Sequence, residues 1–365
     1  MIYLDYQATT PLAPEAADAM RPWFDEKFAN PHSPHKPGRE AAATVEVARD
    51  QVIAALGGAG GKLHFTSGAT EAANWALKGS GARRIVTLAT EHACVLDTVE
   101  WLAGQGREIE ILPVGKDGLV DLNLVEERVT EGTGLVAAML VNNEIGVIQP
   151  IAEIARIAHA RGALFFCDAV QGFCRVPLPI DDCDMVALSA HKIHGPKGIG
   201  ALWVRDGVAL QPFMHGGGQE GGVRSGTLSP MLCAGFGAAA KLAAERTEID
   251  GDHVFSLFGF AVSCLGGWTV NGAMDHRYFG NLNIRMDGLD VARLMSDLRD
   301  IAFSAGSACA SGSGRPSHVL SAIGLTEAEV RSSLRIGFGR YTTLEQIQSA
   351  IERIDEAAFS QGIFV

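Results

Sequence analysis

GLVAAMLVNNEIGVIQPIAEIARIAHARGALFFCDAVQG, Gly134 to Gly172, is the part of the sequence that decides the fold. Its two apolar runs, GLVAAMLV (134–141) and ALFFC (163–167), have strand length and end at polar residues. Between them, IAEIARIAHARG repeats its apolar residues at helical spacing and stops at a glycine. Upstream, LHFT (63–66) and RIVTLA (84–89) have the same character, as does MVALS (185–189) downstream, with helical patterns in the intervals. Strands alternating with helices predict an α/β fold, a mainly parallel sheet with helices on both faces. Near residue 250, after GAAAKLAAERTE, the alternation gives way to isolated runs, NLNIRM and SLRIGFGR, and an amphipathic ending, LEQIQSAIERIDEAAF. That change predicts a second, smaller α+β domain. The expected division is a large domain over 12–250, with 1–11 and 251–365 forming the small one.

Composition narrows the function. A chain of 365 residues with 47% hydrophobic content can bury a sizeable core. Its net charge of −12, without a basic stripe, argues against direct nucleic-acid binding. MIYLDYQATTPL has no basic stretch followed by an apolar run, and no segment approaches the roughly 20 apolar residues of a membrane span; a cytoplasmic protein with no membrane contact is expected. The seven cysteines are odd in number and form no C-x-x-C pair, against both a disulfide framework and a zinc site. Most read as small buried residues, but Cys309 lies in FSAGSACASGSGRPS, too rich in glycine and serine to be core. GGAGGK (57–62) has the wrong spacing for a phosphate loop, with Leu63 where Ser or Thr would follow the lysine; it reads as a connection.

In open parallel sheets, ligands bind beyond the carboxyl ends of the strands. There the successive strands deliver SGATEAAN, TEHA, NNEIG, DAVQG and AHKIHGPKG. Singly, each has an ordinary explanation: Glu91-His92 can start a helix, Asn142 and Asn143 can serve a turn, and Asp168 can cap. Together they describe one ligand. SGAT before a helix offers N–H groups to a phosphate, with the Thr70 hydroxyl beside them. His92 supplies a flat ring, Asp168 a fixed negative charge, Asn143 and Gln171 neutral hydrogen-bonding groups, and Lys192 an amine. A phosphorylated aromatic aldehyde needs these parts, and pyridoxal 5'-phosphate is the cofactor they fit: Asp168 would keep its ring nitrogen protonated, and Lys192 would hold its aldehyde as a Schiff base. Ser189 and His191 would bind the phosphate. Lys197, in the following turn, is the nearby alternative amine.

At this point the chain resembles the class V aminotransferases, and among them the cysteine desulfurases of the iron-sulfur and nitrogen-fixation group. YLDYQATTPL, NPHSPHKPGR, FTSGATEAAN, TEHACVL, VNNEIGVIQP, CDAVQG, SAHKIHGPKGIGAL, GGGQEGGVRSGTL, GSACASGSGRPSHVLSAIG and SLRIGFGRYTT follow the family's blocks in order. The resemblance implies a fold-type I pyridoxal-phosphate-dependent transferase. It also implies His92 stacked on the cofactor ring, Gln171 at the phenolic oxygen, and Asn143 on substrate and cofactor. Thr227 would reach the phosphate from a second subunit, which makes a homodimer; Arg335 would clamp the substrate carboxylate. Cys309 would take sulfur from L-cysteine as a persulfide, leaving L-alanine, with His92 a candidate proton acceptor. The partner expected is a sulfur-acceptor protein such as an iron-sulfur scaffold, although thiolated tRNA, phosphorothioate DNA and cofactors are other destinations for such sulfur. Three features depart from the family's pattern: Gly221 where an arginine is usual, a shortened segment near 245–265, and an ending soon after the last helix, which bear on partner docking. A selenocysteine lyase or an aminotransferase on the same scaffold stays open as a rival, as does a non-catalytic sulfur carrier, against which the intact Lys192, Asp168 and Arg335 count.

Overall fold

The computed structural model describes residues 1–58, 60–306 and 316–362. After a two-residue strand, β1 (Ile2–Tyr3), come the strands of the central sheet: β2 (Gly61–Thr66), β3 (Arg84–Leu88), β4 (Glu108–Leu112), β5 (Leu135–Met139), β6 (Leu164–Asp168), β7 (Met185–Ser189) and β8 (Gly200–Arg205). Their spatial order is β2-β8-β7-β6-β5-β3-β4. The contiguous set β4, β3, β5, β6 and β7 is parallel, as the sequence pattern predicts, while β8 runs antiparallel to both of its neighbours. Strands β5 and β7 are buried at every residue, which is why they read as unbroken apolar runs.

The crossover from β5 to β6 shows how sequence produces the layer. Its helix, Ile151–Ala160, buries Ile151, Ile154, Ala155, Ile157 and Ala158, one face at helical spacing. Each buried isoleucine contributes about 1.5–3 kcal/mol of transfer free energy. The helix stops where Gly162 takes a φ of 73°, a left-handed turn that glycine adopts without strain. Two strands escaped the apolar-run reading for different reasons. β4, EIEIL, lies at the sheet edge and is largely solvated, and β8 follows the glycine-rich turn after β7.

Downstream, β9 (Thr269–Val270), β10 (Asn281–Arg285), β11 (Ile301–Ala302), β12 (Ser304–Ala305) and β13 (Ser333–Gly337) include a four-stranded sheet of order β12-β13-β10-β9. All of its pairings are antiparallel. Helix Leu344–Phe359 begins at a Thr343/Gln346 capping box and buries Ile347, Ala350, Ile351, Ile354 and Ala358. The start of the chain joins this region: β1 pairs in parallel with β11, and Gly337 N–H donates to the Leu4 carbonyl at 2.7 Å. It then crosses to the central sheet, where Thr10 N–H donates to the His191 carbonyl at 3.0 Å and Ala13 N–H to the His194 carbonyl at 2.9 Å.

Close approach at the first residue of β8 fixes the edge of the central sheet. A Cβ on Gly200 would lie 2.4 Å from the Leu188 carbonyl oxygen and 2.8 Å from the Cα of Gly68, both backbone atoms. The loop after β2 therefore rests directly on β8. Gly200→Ala should destabilise the protein by about 1–3 kcal/mol, the usual cost of overpacking, read as a lower denaturation midpoint in urea. An unchanged midpoint would mean that the loop after β2 and the start of β8 are not packed this tightly.

Candidate active site

Five strand ends and the first residues of the chain converge on one cavity of about 460 Å³. Thr70, His92, Asn143, Asp168, Gln171, Ser189, His191, Lys192 and Arg335 all line it. Thr227 does not, and is exposed. Cys309 lies outside the described residues.

The Lys192 amine, at the end of the 3-10 turn after β7, donates to the main-chain carbonyls of Gln7 at 2.5 Å and Ala8 at 2.8 Å. The Gln7 carbonyl also accepts from Gln171 Nε2 at 2.9 Å, and Gln171 Oε1 accepts from Arg175 at 2.7 Å. Arg175 also donates to the Lys192 carbonyl, fixing the backbone that carries the amine. Lys197 lines the same cavity.

Asp168 closes β6 with its side chain buried. Among the described residues its side chain has one hydrogen-bond donor, Val170 N–H at 3.0 Å. Burial pushes its carboxyl pKa upward, opposed by the Val170 hydrogen bond and by His92 and Lys192 nearby. No helix starts directly after β6, so Asp168 caps none: the Val170 N–H bond closes a turn, and Asp168 lines the cavity. His92 likewise caps helix Ala93–Gly104: its Nδ1 accepts from Cys94 N–H at 3.1 Å, which leaves the ring proton to Nε2. Burial drives its pKa below the ordinary histidine value; Asp168 opposes this and Lys192 reinforces it, so the ring is neutral at pH 7.

The two asparagines divide their work. Asn142 is structural, its Oδ1 accepting from Glu144 N–H at 2.8 Å and Ile145 N–H at 3.0 Å and its Nδ2 donating to the Thr90 carbonyl at 2.8 Å. Asn143 lines the cavity with its carbonyl held by Arg335 at 3.0 Å and Asn281 at 3.1 Å, from β13 and β10. Arg335, 1% exposed, also pairs with Asp5 at 2.7 Å. Sequence reasoning missed Asp5, Gln7, Ala8 and Arg175. The block YLDYQATTPL contained three of them, but nothing in its spacing shows that it meets residues some 185 positions away.

These residues fit pyridoxal 5'-phosphate. The cavity has the size of a cofactor site. It brings together an amine, a buried carboxylate without an ion-pair partner among the described residues, a neutral imidazole, and the N-terminus of helix Ala69–Gly79 beside Ser189 and His191.

Residues 2–349 match the family model Aminotransferase class-V. The chain is 43% identical over 368 residues to cysteine desulfurase IscS of Rickettsia bellii (strain OSU 85-389), covering 97% of this chain and 90% of that protein. Against cysteine desulfurase IscS of Rickettsia akari (strain Hartford) the identity is 44% with the same coverage. The chain belongs to the class V aminotransferase family. Among solved structures, a NifS-like protein from Rickettsia africae ESF-5 superposes with a TM-score of 0.89 at 32% identity, covering 98% of this chain and 99% of that one. SspA in complex with cysteine gives a TM-score of 0.84 at 35% identity, covering 94% and 100%. The relatives place the chain in the cysteine-desulfurase branch of the family, whose members are pyridoxal-phosphate-dependent enzymes of fold type I. No helix among the described residues is long and apolar enough to cross a membrane.

Burial of neutral imidazoles at this site has a measurable consequence. His191, which lines the cavity, has its pKa lowered to about 4 by burial and then by Lys192; His194, three residues on, is lowered to about 4 by burial and then by Arg340. Between about 6.5, the unfolded value, and about 4, the unfolded chain binds protons that the folded one refuses, so stability is fully present above 6.5 and falls as pH drops through this window. Urea unfolding at pH 7 and pH 5 should show a lower free energy at pH 5, with part of the loss removed in His194→Gln. An equal pH dependence in the variant would contradict the assignment.

Proposed function

We propose that this enzyme converts L-cysteine to L-alanine and keeps the sulfur as a persulfide on Cys309. The observation that supports it most directly is the Lys192 amine held in the cavity that Asp168, His92 and Arg335 share. Pyridoxal 5'-phosphate supplies an electron sink for charge developing at the substrate's α-carbon. Lys192 is the amine that would carry the cofactor, and it would also be available in the cavity as a base for the α-proton. Asp168 would hold the ring-nitrogen proton, the role its buried place on the cavity wall suits. The neutral ring of His92 would lie against the cofactor, and it would accept the substrate thiol's proton at Nδ1 only by giving up its hydrogen bond from Cys94 N–H. Gln171 would meet the phenolic oxygen and Asn143 the substrate side. Thr70, Ser189 and His191 would take the phosphate.

Arg335 would pair with the substrate carboxylate, whose planar geometry matches its guanidinium. The Cys309 thiolate would then attack the substrate sulfur. A carbon–sulfur bond breaks, a sulfur–sulfur bond forms, and the carbon takes a proton, so cysteine and the enzyme thiol become alanine and the enzyme persulfide.

Thr227 stands exposed and off the cavity of its own chain. This supports a homodimer in which Thr227 of the partner subunit completes the phosphate site. The sheet arrangement supports the division into a large domain over 12–250 and a small one formed by 1–11 and 251–365. The similarity to IscS proteins supports delivery of the sulfur to an iron-sulfur scaffold in the cytoplasm.

The test is Cys309→Ser. Wild-type protein incubated with L-cysteine and no acceptor should gain about 32 Da on the peptide containing Cys309, a reversible persulfide, and release alanine in step with sulfide once a thiol is added. The serine variant should keep its cofactor absorbance and lose both products by at least about 100-fold, since a hydroxyl is not ionised at neutral pH. Alanine release at the wild-type rate from the variant would overturn the persulfide route.

A further inference from the structure

Arg335 already holds a carboxylate. Its guanidinium donates to Asp5 Oδ1 at 2.7 Å, to the Asn143 carbonyl at 3.0 Å and weakly to Ser304 Oγ at 3.4 Å, while its buried Nε has no hydrogen-bond partner among the described residues. Arg335 lines the cavity and Asp5 does not, so Asp5 meets the guanidinium from the protein side and leaves the cavity side open. The position of Asp5 is set twice. Its backbone bridges to Gly337 on β13, and the Oδ1 that pairs with Arg335 also accepts from Ser304 Oγ at 2.8 Å.

A buried guanidinium with no counter-charge would bind any α-amino-acid carboxylate tightly, and cysteine and alanine carry the same one. Tight binding that is equal for substrate and product does not speed the chemistry and slows release. An internal carboxylate on the far side keeps the guanidinium oriented while cancelling part of its field at the cavity. We infer that Asp5 is a positioning counter-ion that sets how strongly Arg335 holds the amino-acid carboxylate, weakening it enough for alanine to leave. This rests on the assignment of Arg335 to that carboxylate.

Asp5→Asn separates charge from geometry, because the amide oxygen can still accept from Arg335. If Asp5 only held Arg335 in place, the variant would bind substrate equally well or less well. If it offsets charge, binding tightens. The KM for L-cysteine and the inhibition constant of L-alanine should both fall by at least about threefold, which is about 0.7 kcal/mol at 1.4 kcal/mol per tenfold. Inhibition by L-alaninol, which lacks the carboxylate, should not change. Thermal stability of the ligand-free variant should drop, and L-alanine should restore it by a larger shift than in the wild type. Ser304→Ala tests the same idea from the other side, and does so even if Asp5→Asn fails to fold. Losing the hydroxyl leaves Asp5 Oδ1 to Arg335, so the KM for L-cysteine should rise. An unchanged or higher L-alanine constant in Asp5→Asn, equal tightening of L-alaninol, or an unchanged or lower KM in Ser304→Ala would overturn the inference. Failure of the underlying assignment is read separately, in the wild-type background: Arg335→Lys would then leave L-alanine inhibition unaltered.

Discussion

Two adjacent main-chain carbonyls, those of Gln7 and Ala8, hold the Lys192 amine, and the site depends on that contact. An amine in a largely enclosed cavity needs acceptors, or its charge is lost to desolvation. Two backbone carbonyls supply them, at 2.5 Å and 2.8 Å. The geometry requires the start of the chain to be threaded between the two sheets. Hydrogen bonds from Ile2 to the Asp300 carbonyl and from Gly337 to the Leu4 carbonyl tie one end to the small sheet, and those of Thr10 and Ala13 tie the other to the loop of Lys192. One short segment thereby places Asp5 on Arg335 and Gln7 on both Lys192 and Gln171.

The electrostatics of the cavity follow from burial. Asp168, His92 and Lys192 sense one another at short range, and desolvation pushes Asp168 and His92 towards their neutral forms. A cationic ring nitrogen placed against Asp168 would return that carboxylate to its charged state, so the cofactor and the site stabilise each other's protonation. Glu91, wholly buried, accepts from Met139 N–H at 2.8 Å and is driven well above the usual carboxylate range by burial, with Asp168 adding to the shift. Both effects favour its protonated, uncharged form beside Asp168.

The parallel core and the polar edge were legible in the sequence because both depend on local signals. Strands buried on both faces read as apolar runs, the crossover helix Ile151–Ala160 shows its spacing, and polar residues fall just past each strand. β8 was harder to read, since a glycine-rich turn leads into it and its antiparallel direction depends on a chain reversal that composition does not specify. Asp5, Gln7 and Ala8 were illegible for a different reason. Gln7 and Ala8 act through carbonyl oxygens, which every residue has, and Asp5 acts on an arginine 330 positions away. Residue type carries no trace of such long-range placement. Family resemblance found Arg335 but could not show what stood behind it.

The central claim is that the cavity is organised around the amine of Lys192 and not that of Lys197, which lines the same space. Borohydride reduction of the cofactor-loaded enzyme, followed by peptide mass spectrometry, traps the cofactor on the amine that carries it. The account predicts the pyridoxyl mass on the peptide at Lys192, and none on any peptide of the Lys192→Ala variant. A pyridoxyl group on Lys197 in the wild-type enzyme would contradict it.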